Sequence, residues 1–392
     1  MQIDKKKLVI PLLDLKREYS LLKKEIDAQI KECLTSQHWI LGEKVAQFEK
    51  ELSKYLKSKY VVGVNSGTDA LLLCLRAQAI KAKNREYFDK KDEIITTPFT
   101  FAATAETIVR SGATPVFVDI EPGTFNIDTK SIRKAINKNT VGILPVHLFG
   151  RSCEMGTLSS IAKENNLFIV EDVAQAFGAE CLIDCTKKLG TIGSCGAFSF
   201  FPSKNLGSYG DAGAVSTNDQ RLADLITALR NHGQARQYDA TYIGYNSRLD
   251  SVQAAILLAK LRYIDKFNTQ RIKVAQKYST GLKNIKNIQL PSTDCRVSAI
   301  DYRHVYSLYT ITVTPSLRNA MLQFLNERGI GARIYYPLPL HEMDAFKTAK
   351  VSGSLINAGE AAKSVLSLPI NPFLKDREIE YIIGNIKLFS KS

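Results

Sequence analysis

The chain has 392 residues, enough for one large domain and a smaller one, and its 45% apolar and 23% charged content is ordinary for a globular enzyme. No apolar run approaches the roughly 18 residues that span a bilayer, and Asp14 interrupts the apolar stretch after the N-terminal basic patch, so we expect a cytoplasmic protein without a signal peptide. The 53 Lys and Arg exceed the 39 Asp and Glu, which gives a formal net charge of +14. The basic residues are spread along the chain, which favours a small polyanionic substrate over nucleic acid.

The first two predicted elements are amphipathic helices. Apolar residues recur at three- and four-residue steps from Leu15 to Leu34, which predicts a helix over residues 14–36. The same pattern continues from Val45 to Tyr55, after the turn at Gly42.

Short apolar runs then alternate with helical patterns. The runs typical of buried strands are 61–64, 93–97, 114–120, 141–148 and 167–172, and helical patterns follow most of them, at about 69–80, 102–111, 129–137 and 155–165. This alternation predicts an α/β fold with a mostly parallel sheet and helices on both faces. Ligands of such sheets bind outside the carboxyl ends of the strands, so polar residues just after the strands are the first candidates for a site.

The last third of the chain changes character after a long helical stretch at 250–278. It has a strand pattern at 306–313 and helical patterns near 316–328 and 374–389. We expect a large domain over residues 10–255 and a smaller C-terminal α+β domain over residues 256–392.

The cysteines are odd in number and form no CxxC pair. They are Cys33, Cys74, Cys153, Cys181, Cys185, Cys195 and Cys295. Metal sites need tighter ligand spacing and disulfide scaffolds are shorter chains, so we expect reduced thiols and no metal centre.

The segment VNSGTDALLL at 64–73 leads from a predicted strand into a helix through Gly67 and Thr68. A glycine lets the backbone come close to a ligand, and the start of a helix offers free N–H groups to a phosphate. The same letters also suit simple helix capping, so this segment alone is weak evidence.

Two carboxylates, Glu171 and Asp172, end the predicted strand of LFIVEDVAQAFGA at 167–179. A buried carboxylate is costly unless something pairs with it. The pair either begins an exposed loop or caps a helix, or one carboxylate faces a protonated ring nitrogen with Gln175 one helical turn away.

A lysine, Lys204, lies among phenylalanines and glycines in AFSFFPSKNLGSYGDAGAV at 197–215. Most lysines are solvated surface residues, but burial in such a run would lower the pKa of the amine and make it nucleophilic. A further segment, IGYNSRLDSVQAAILLAKL at 243–261, places Asn246, Arg248 and Asp250 ahead of a long apolar helix.

Together these segments resemble the DegT/DnrJ/EryC1/StrS family of pyridoxal-phosphate sugar aminotransferases. The matching motifs are NSGTDAL, PFTFAATAETI, EDVAQAFGA, SFFPSKNLGSYGD, NHGQ and NSRLDSVQAA, in family order between residue 10 and about residue 345. The resemblance implies an aspartate-aminotransferase-like fold of fold type I and pyridoxal 5′-phosphate as the cofactor.

The resemblance also implies catalytic roles. Lys204 would carry the cofactor covalently and move the proton between the substrate carbon and the cofactor. Asp172 would pair with the pyridine nitrogen and keep the ring an electron sink. Gln175 would bond the ring oxygen, and Phe101 would stack on the ring.

Phosphate binding is implied for Gly67, Thr68 and Ser199. Asn246 would reach the phosphate in the partner subunit's site, so that a homodimer with shared active sites is needed for catalysis.

Substrate contacts are implied for Trp39, Tyr335, Tyr336 and His341, while Arg248 either contacts the substrate or forms a structural ion pair with Asp250. Many relatives have histidine where this chain has Tyr335, which bears on the sugar specificity and not on the cofactor chemistry.

The motif sequences are similar to those of enzymes that aminate C3 of a UDP-linked 2-acetamido-3-keto hexose in cell-surface polysaccharide or lipid A pathways. Glutamate is the amino donor expected from the family. Enzymes for dTDP-linked 3-keto-6-deoxy hexoses are the alternative.

Three other functions agree less well with the sequence. Family dehydratases replace the cofactor lysine with histidine, so Lys204 argues against that activity. A non-catalytic regulator that binds the cofactor or nucleic acid is disfavoured because no appended helix-turn-helix pattern is evident. The run GTIGSCG at 190–196 has the wrong glycine spacing for a dinucleotide-binding oxidoreductase.

Overall fold

The computed structural model describes residues 8–181, 187–291 and 304–391. The helices in this part of the chain are α1 (Leu15–Ser36), α2 (Glu43–Leu56), α3 (Gly67–Lys83), α4 (Ala103–Arg110), α5 (Thr129–Ala135), α6 (Met155–Glu164), α7 (Gln220–Leu229), α8 (Ser251–Leu261), α9 (Ile264–Gly281), α10 (Pro315–Glu327), α11 (Ile356–Ser364) and α12 (Asp376–Phe389). The strands are β1 (Tyr60–Val64), β2 (Glu93–Thr96), β3 (Thr114–Phe117), β4 (Thr140–Ile143), β5 (Phe168–Asp172), β6 (Glu180–Cys181), β7 (Lys187–Lys188), β8 (Cys195–Ser199), β9 (Gly213–Thr217), β10 (Gln234–Arg236), β11 (Asp239–Ala240), β12 (Ile288–Gln289), β13 (Tyr309–Val313), β14 (Lys350–Val351) and β15 (Val365–Leu368).

The main sheet has eight strands in the order β1, β9, β8, β5, β4, β2, β3 and β14. Strand β9 runs antiparallel to β1 and β8, and the other neighbours pair in parallel. The predicted mostly parallel sheet is confirmed.

The sheet is buried on both faces, which is why its strands read as continuous apolar runs. Successive side chains of a strand point to opposite faces. Accordingly Ile95 and Ile169 join one apolar cluster, together with α2 and α6, and Ile94 and Val170 join a second one with α3 and α7.

A separate apolar cluster lies in the C-terminal part. A three-stranded antiparallel sheet in the order β12, β13, β15 packs there with α9, α10 and α12, and the cluster includes Tyr278, Ile311, Leu325 and Ile382. The N-terminal Ile10 joins the same cluster and hydrogen-bonds through its backbone to residues 329 and 331. The domain limits 10–255 and 256–392 stay a prediction.

The helical stretch predicted over 250–278 is two helices, α8 and α9, separated at residues 262–263. Leu257 of α8 packs into the core of the main sheet, whereas Val274 and Tyr278 of α9 pack into the C-terminal cluster. The two helices therefore bury their apolar faces in different clusters.

Within the described ranges no helix combines the length and the apolar character needed to cross a membrane. In that same part of the chain no cluster of His, Cys, Asp and Glu has the arrangement of a metal site. Five cysteines there are buried, and Cys185 and Cys295 lie outside the described residues.

Candidate active site

A cavity of about 790 Å³ opens at the carboxyl-terminal edge of the main sheet. Its walls come from the start of α3, the residues after β2 and β5, the turn between β8 and β9, and three C-terminal segments. The predicted residues that line it are Gly67, Thr68, Phe101, Asp172, Gln175, Ser199, Lys204, Tyr335 and Tyr336. Parallel topology places the ends of distant strands at one edge, so these residues meet although they are far apart in sequence.

Lys204 lies on the turn that follows β8, and its backbone N–H donates to the carbonyl oxygen of Phe201 at 2.9 Å. Burial lowers the pKa of the Lys204 ammonium, and the negative charge of Asp172 opposes this shift. A lysine with a lowered pKa offers a neutral, nucleophilic amine more readily than a surface lysine.

Asp172, at the end of β5, is only 4% exposed. Its Oδ1 accepts from the backbone N–H of Ala174 at 3.1 Å, and its Oδ2 accepts from Oγ1 of Thr104 at 3.0 Å. Burial raises the pKa of Asp172, while these two donors and the charge of Lys204 counteract the rise. The carboxylate is therefore held in one orientation and would be stabilised further by a cationic group in the cavity.

Thr104 is a site residue that the sequence reasoning missed. It is buried on α4, lines the cavity and also contacts the hydroxyl of Thr100 at 3.1 Å. Its position in PFTFAATAETI was the available signal, but a threonine in a helical pattern gives no indication of a carboxylate partner.

Glu171, the neighbour of Asp172, serves another purpose. It is fully buried and accepts hydrogen bonds from the backbone N–H groups of Gly190, Ile192 and Gly193 at 2.7 to 2.8 Å. Nε2 of His147 adds a contact at 3.2 Å. The run GTIGSCG thus encloses a structural carboxylate.

The start of α3 forms a close approach between two backbone segments. A Cβ atom added at Gly67 would lie 2.5 Å from Cβ of Ser199, so a side chain here would displace the wall of the cavity. Ser66 caps the helix by accepting from the N–H of Asp69 at 3.0 Å. The N–H groups of Gly67 and Thr68 have no acceptor inside the helix and are available to an anion.

An aromatic and amide wall completes the cavity. Phe101 is 60% exposed although it is a large apolar residue, and it lines the cavity with its ring centroid 6.4 Å from that of Tyr336. Oε1 of Gln175 accepts from the N–H of Phe149 at 2.9 Å, and its Nε2 donates to the Tyr336 hydroxyl at 3.0 Å. The N–H of Phe149 therefore directs the amide nitrogen of Gln175 toward the cavity.

Four predicted residues do not line this cavity. Asn246 and Trp39 are exposed, and the Trp39 carbonyl accepts from the backbone N–H of Ser251 at 2.8 Å. His341 lies in a short helical turn with Nε2 3.8 Å from Oε1 of Glu342. The fourth is Arg248.

Arg248 donates through Nη1 to Oδ1 of Asn231 at 3.1 Å. Asp250 caps α8 by accepting from the N–H of Gln253 at 2.8 Å. In the described part of the chain, Arg248 and Asp250 form no ion pair with each other.

Other cavity residues carried no signal in the sequence. They are Leu12 and Leu13 of the N-terminal segment, Asp211, Leu308 and Met343. Their places depend on how the N- and C-terminal segments pack against the main sheet, which periodicity does not reveal.

The DegT/DnrJ/EryC1/StrS aminotransferase family model matches residues 20–387. The chain belongs to this family. The motif resemblance is thereby confirmed.

Three curated relatives cover nearly the whole chain. A "Pleiotropic regulatory protein" of Geobacillus stearothermophilus is 40% identical over 97% of this chain and 98% of its own length. The dTDP-3-amino-3,4,6-trideoxy-alpha-D-glucose transaminase of Streptomyces venezuelae is 38% identical over 96% of this chain and 95% of its own. The UDP-2-acetamido-2-deoxy-3-oxo-D-glucuronate aminotransferase of Pseudomonas aeruginosa is 36% identical over 95% of this chain and 98% of its own.

Solved structures confirm the predicted fold class. A DegT DnrJ EryC1 StrS aminotransferase from Brucella abortus superposes with a TM-score of 0.90 at 34% identity, over 98% of this chain and 100% of that chain. NtdA from Bacillus subtilis with bound cofactor PMP superposes with a TM-score of 0.88 at 30% identity, over 100% of this chain and 87% of that chain.

The enzyme is a pyridoxal-phosphate-dependent aminotransferase, and the residues of the cavity fit this cofactor. A phosphate suits the free N–H groups at the start of α3, where Gly67 leaves room for it. A protonated ring nitrogen suits the buried carboxylate of Asp172, and an aldehyde suits the amine of Lys204 with its lowered pKa.

Proposed function

We propose that this enzyme transfers an amino group from glutamate to C3 of a UDP-linked 2-acetamido-3-keto hexose. The observation that carries the transamination is that Lys204 and the buried carboxylate of Asp172 line one cavity, next to the start of α3 with its free N–H groups. The activities by which the UDP- and dTDP-sugar relatives are named support a nucleotide-linked sugar.

Lys204 is assigned the covalent attachment of the cofactor and the transfer of a proton at the substrate carbon. Both tasks need a neutral amine, and burial lowers the pKa of Lys204 in that direction. Pyridoxal phosphate, when bound, supplies the electron sink that the 1,3-proton shift requires.

Asp172 would pair with the pyridine nitrogen and keep it protonated. Its carboxylate is buried, and Thr104 and the N–H of Ala174 orient it. Water would therefore screen an ion pair with the ring only weakly. Gln175 would donate to the ring oxygen, because the N–H of Phe149 directs its amide nitrogen into the cavity.

The remaining cofactor contacts are assigned to other residues that line the cavity. The N–H groups of Gly67 and Thr68 and the hydroxyl of Ser199 would hold the phosphate. Phe101 would cover one face of the ring, which accounts for a largely exposed phenylalanine at the mouth of a cavity.

We propose a homodimer with shared sites. Asn246 is exposed and outside the cavity of its own chain, as expected for a residue that serves a second copy. Trp39, Arg248 and His341 are also outside the cavity and would contact the substrate only in an assembled site.

The sugar assignment concerns the contacts to C2 and C6 of the hexose. A site that hydrogen-bonds an acetamido group rejects a sugar without it, because buried polar groups would lose their partners. Tyr335 and Tyr336 line the cavity and are the substrate residues we assign to this wall. The net charge of +14 attracts either nucleotide diphosphate and does not discriminate between them.

The test is a kinetic comparison in the reverse direction. The enzyme is mixed with a UDP-2-acetamido-3-amino hexose and, separately, with a dTDP-3-amino-6-deoxy hexose, and loss of the visible cofactor absorption is followed. We expect a higher kcat/KM for the UDP sugar. A clear preference for the dTDP sugar would replace this substrate with the alternative that the Streptomyces relative supports.

A cytoplasmic location and a place in lipopolysaccharide or other cell-surface polysaccharide synthesis accompany this proposal. The name of the Geobacillus relative raises a purely regulatory role, which would leave the protein without turnover of either sugar. Glutamate is tested as donor in the same assay, where it should remove the visible absorption and other amino acids should not.

A further inference from the structure

Lys260 is a buried lysine that none of the roles above uses. It lies on α8, is 2% exposed, and its ammonium has two oxygen partners. Nζ is 2.9 Å from Oε1 of Glu18 on α1 and donates a hydrogen bond to the carbonyl oxygen of Gly207. A buried ammonium is costly without such partners, so these contacts fix the side chain in place.

Gly207 belongs to the turn that carries Lys204. A Cβ atom added at Gly207 would lie 2.6 Å from the carbonyl oxygen of Pro202, so the two limbs of the turn are in tight contact. The backbone N–H of Ser208 donates to the carbonyl oxygen of Phe200 at 2.7 Å and closes the turn. A shift of the Gly207 peptide would therefore move the whole turn.

Neutral side chains also hold this turn. Nδ2 of Asn205 donates to Oδ1 of Asn268 on α9 at 2.8 Å, and Oε1 of Gln253 accepts from the N–H of Tyr209 at 2.9 Å. Lys260 adds an ionised donor, and hydrogen bonds from ionised groups are roughly twice as strong as neutral ones.

The charge of Lys260 is itself balanced by its surroundings. Burial lowers the pKa of Lys260, and the carboxylate of Glu18 opposes the shift by its charge and its hydrogen bond. Glu18 is the partner that favours the ammonium form, so α1 takes part in the contact.

We infer that Lys260 is a positioning residue, which holds the turn over residues 200–208 through the Gly207 carbonyl and so keeps the Lys204 amine in place against Asp172. Glu18 keeps the Lys260 ammonium charged and oriented. The inference rests on the proposed role of Lys204 as the cofactor lysine.

The test compares matched variants of the holoenzyme. Lys260→Met removes the charge at similar length, and Lys260→Arg retains it. The control is Arg17→Met, since Arg17 adjoins Glu18 on α1 but pairs with Glu378 of α12 at 2.6 Å, remote in sequence from the Lys204 turn. The readouts are kcat, KM for the amino donor, thermal stability and the pH dependence of the visible cofactor absorption.

We expect Lys260→Met to lower kcat by about tenfold to hundredfold, as misplaced catalytic groups do, with KM changed by less than about threefold. The midpoint of the absorption change with pH should shift, and Lys260→Arg should recover part of kcat. Arg17→Met should lower thermal stability alone. A folded Lys260→Met enzyme with unchanged kcat and absorption profile overturns the inference.

If Lys260→Met gives no folded protein, Glu18→Gln decides, because it leaves Lys260 in place and removes the charge that holds it. A smaller change of kcat and absorption profile in the same direction supports the positioning role, and no change overturns it. Lys204→Ala separates this result from the proposed function. Normal turnover of Lys204→Ala refutes the function itself, whereas an inactive Lys204→Ala beside a normal Lys260→Met refutes only the positioning role.

Discussion

Replacing Thr104 with valine removes one of the two hydrogen-bond donors to Asp172 and keeps the shape of the side chain. The Thr104 hydroxyl lies 3.0 Å from Oδ2 of Asp172, and both residues are buried. Thr107 provides a matched control on the same helix, because its buried hydroxyl donates to the neutral carbonyl oxygen of Thr104 at 3.1 Å.

The two variants should differ in how much unfolding free energy they lose and in how that loss depends on pH. A hydrogen bond to a buried charge contributes about 1.5–3 kcal/mol and one between neutral groups about 1 kcal/mol. We therefore expect Thr104→Val to lower the free energy of unfolding of the apoenzyme by about 2 kcal/mol near pH 8, and Thr107→Val by about 1 kcal/mol.

The sign of the pH effect follows from the raised pKa of Asp172 in the folded protein. The lost donor stabilised the ionised carboxylate. The loss of unfolding free energy in Thr104→Val, called the deficit below, is therefore largest above the pKa that Asp172 has in the folded protein. It shrinks as the pH falls through that pKa toward the ordinary aspartate value of about 3.9.

The assay is urea unfolding of the two apoenzyme variants and the wild type at about pH 8 and at about pH 3.9, the ordinary aspartate value, which lies below the raised pKa of Asp172. The deficit of Thr104→Val should be smaller at the lower pH, and that of Thr107→Val should be equal at both. Equal deficits of Thr104→Val at the two pH values would show that Thr104 does not stabilise an ionised Asp172.

Two further predictions concern cofactor binding. Gly67→Ala should weaken pyridoxal phosphate binding by about tenfold or more, since the new Cβ would lie 2.5 Å from Cβ of Ser199, whereas Gly359→Ala in α11 meets nothing within 4 Å and should leave binding unchanged. An unaltered cofactor dissociation constant for Gly67→Ala would contradict the phosphate assignment. Asn246→Ala should retain cofactor poorly, and mixing it with Lys204→Ala under subunit exchange should restore activity through one intact shared site; no recovery after exchange would rule out the shared sites.

The architecture of the main sheet could be predicted because its strands are buried on both faces. Runs such as LFIVED correspond to β5, and the helices between them show the periodicity of one buried face. The antiparallel strand β9 and its neighbour β8 were not predicted. Their sequences, CGAFS and GAVST, consist largely of small residues, which gives neither a long apolar run nor a clear alternation.

The candidate site could be predicted in part, where the resemblance selected its residues. Resemblance selected Asp172 over Glu171, and the structure shows the physical difference: neighbouring strand residues face opposite sides, so Asp172 lines the cavity and Glu171 meets the 190–193 backbone. The hydrogen bonds that orient the site, from Thr104 and from Phe149 to Gln175, join residues distant in sequence. Such contacts exist only after folding.

The most direct test of the central claim is to locate the cofactor on the chain. The holoenzyme is treated with borohydride, which makes the lysine–cofactor bond permanent, then digested and examined by mass spectrometry. The account predicts the added mass on the peptide that contains Lys204 and on no other lysine. Added mass on a different lysine, such as the buried Lys260, would contradict it.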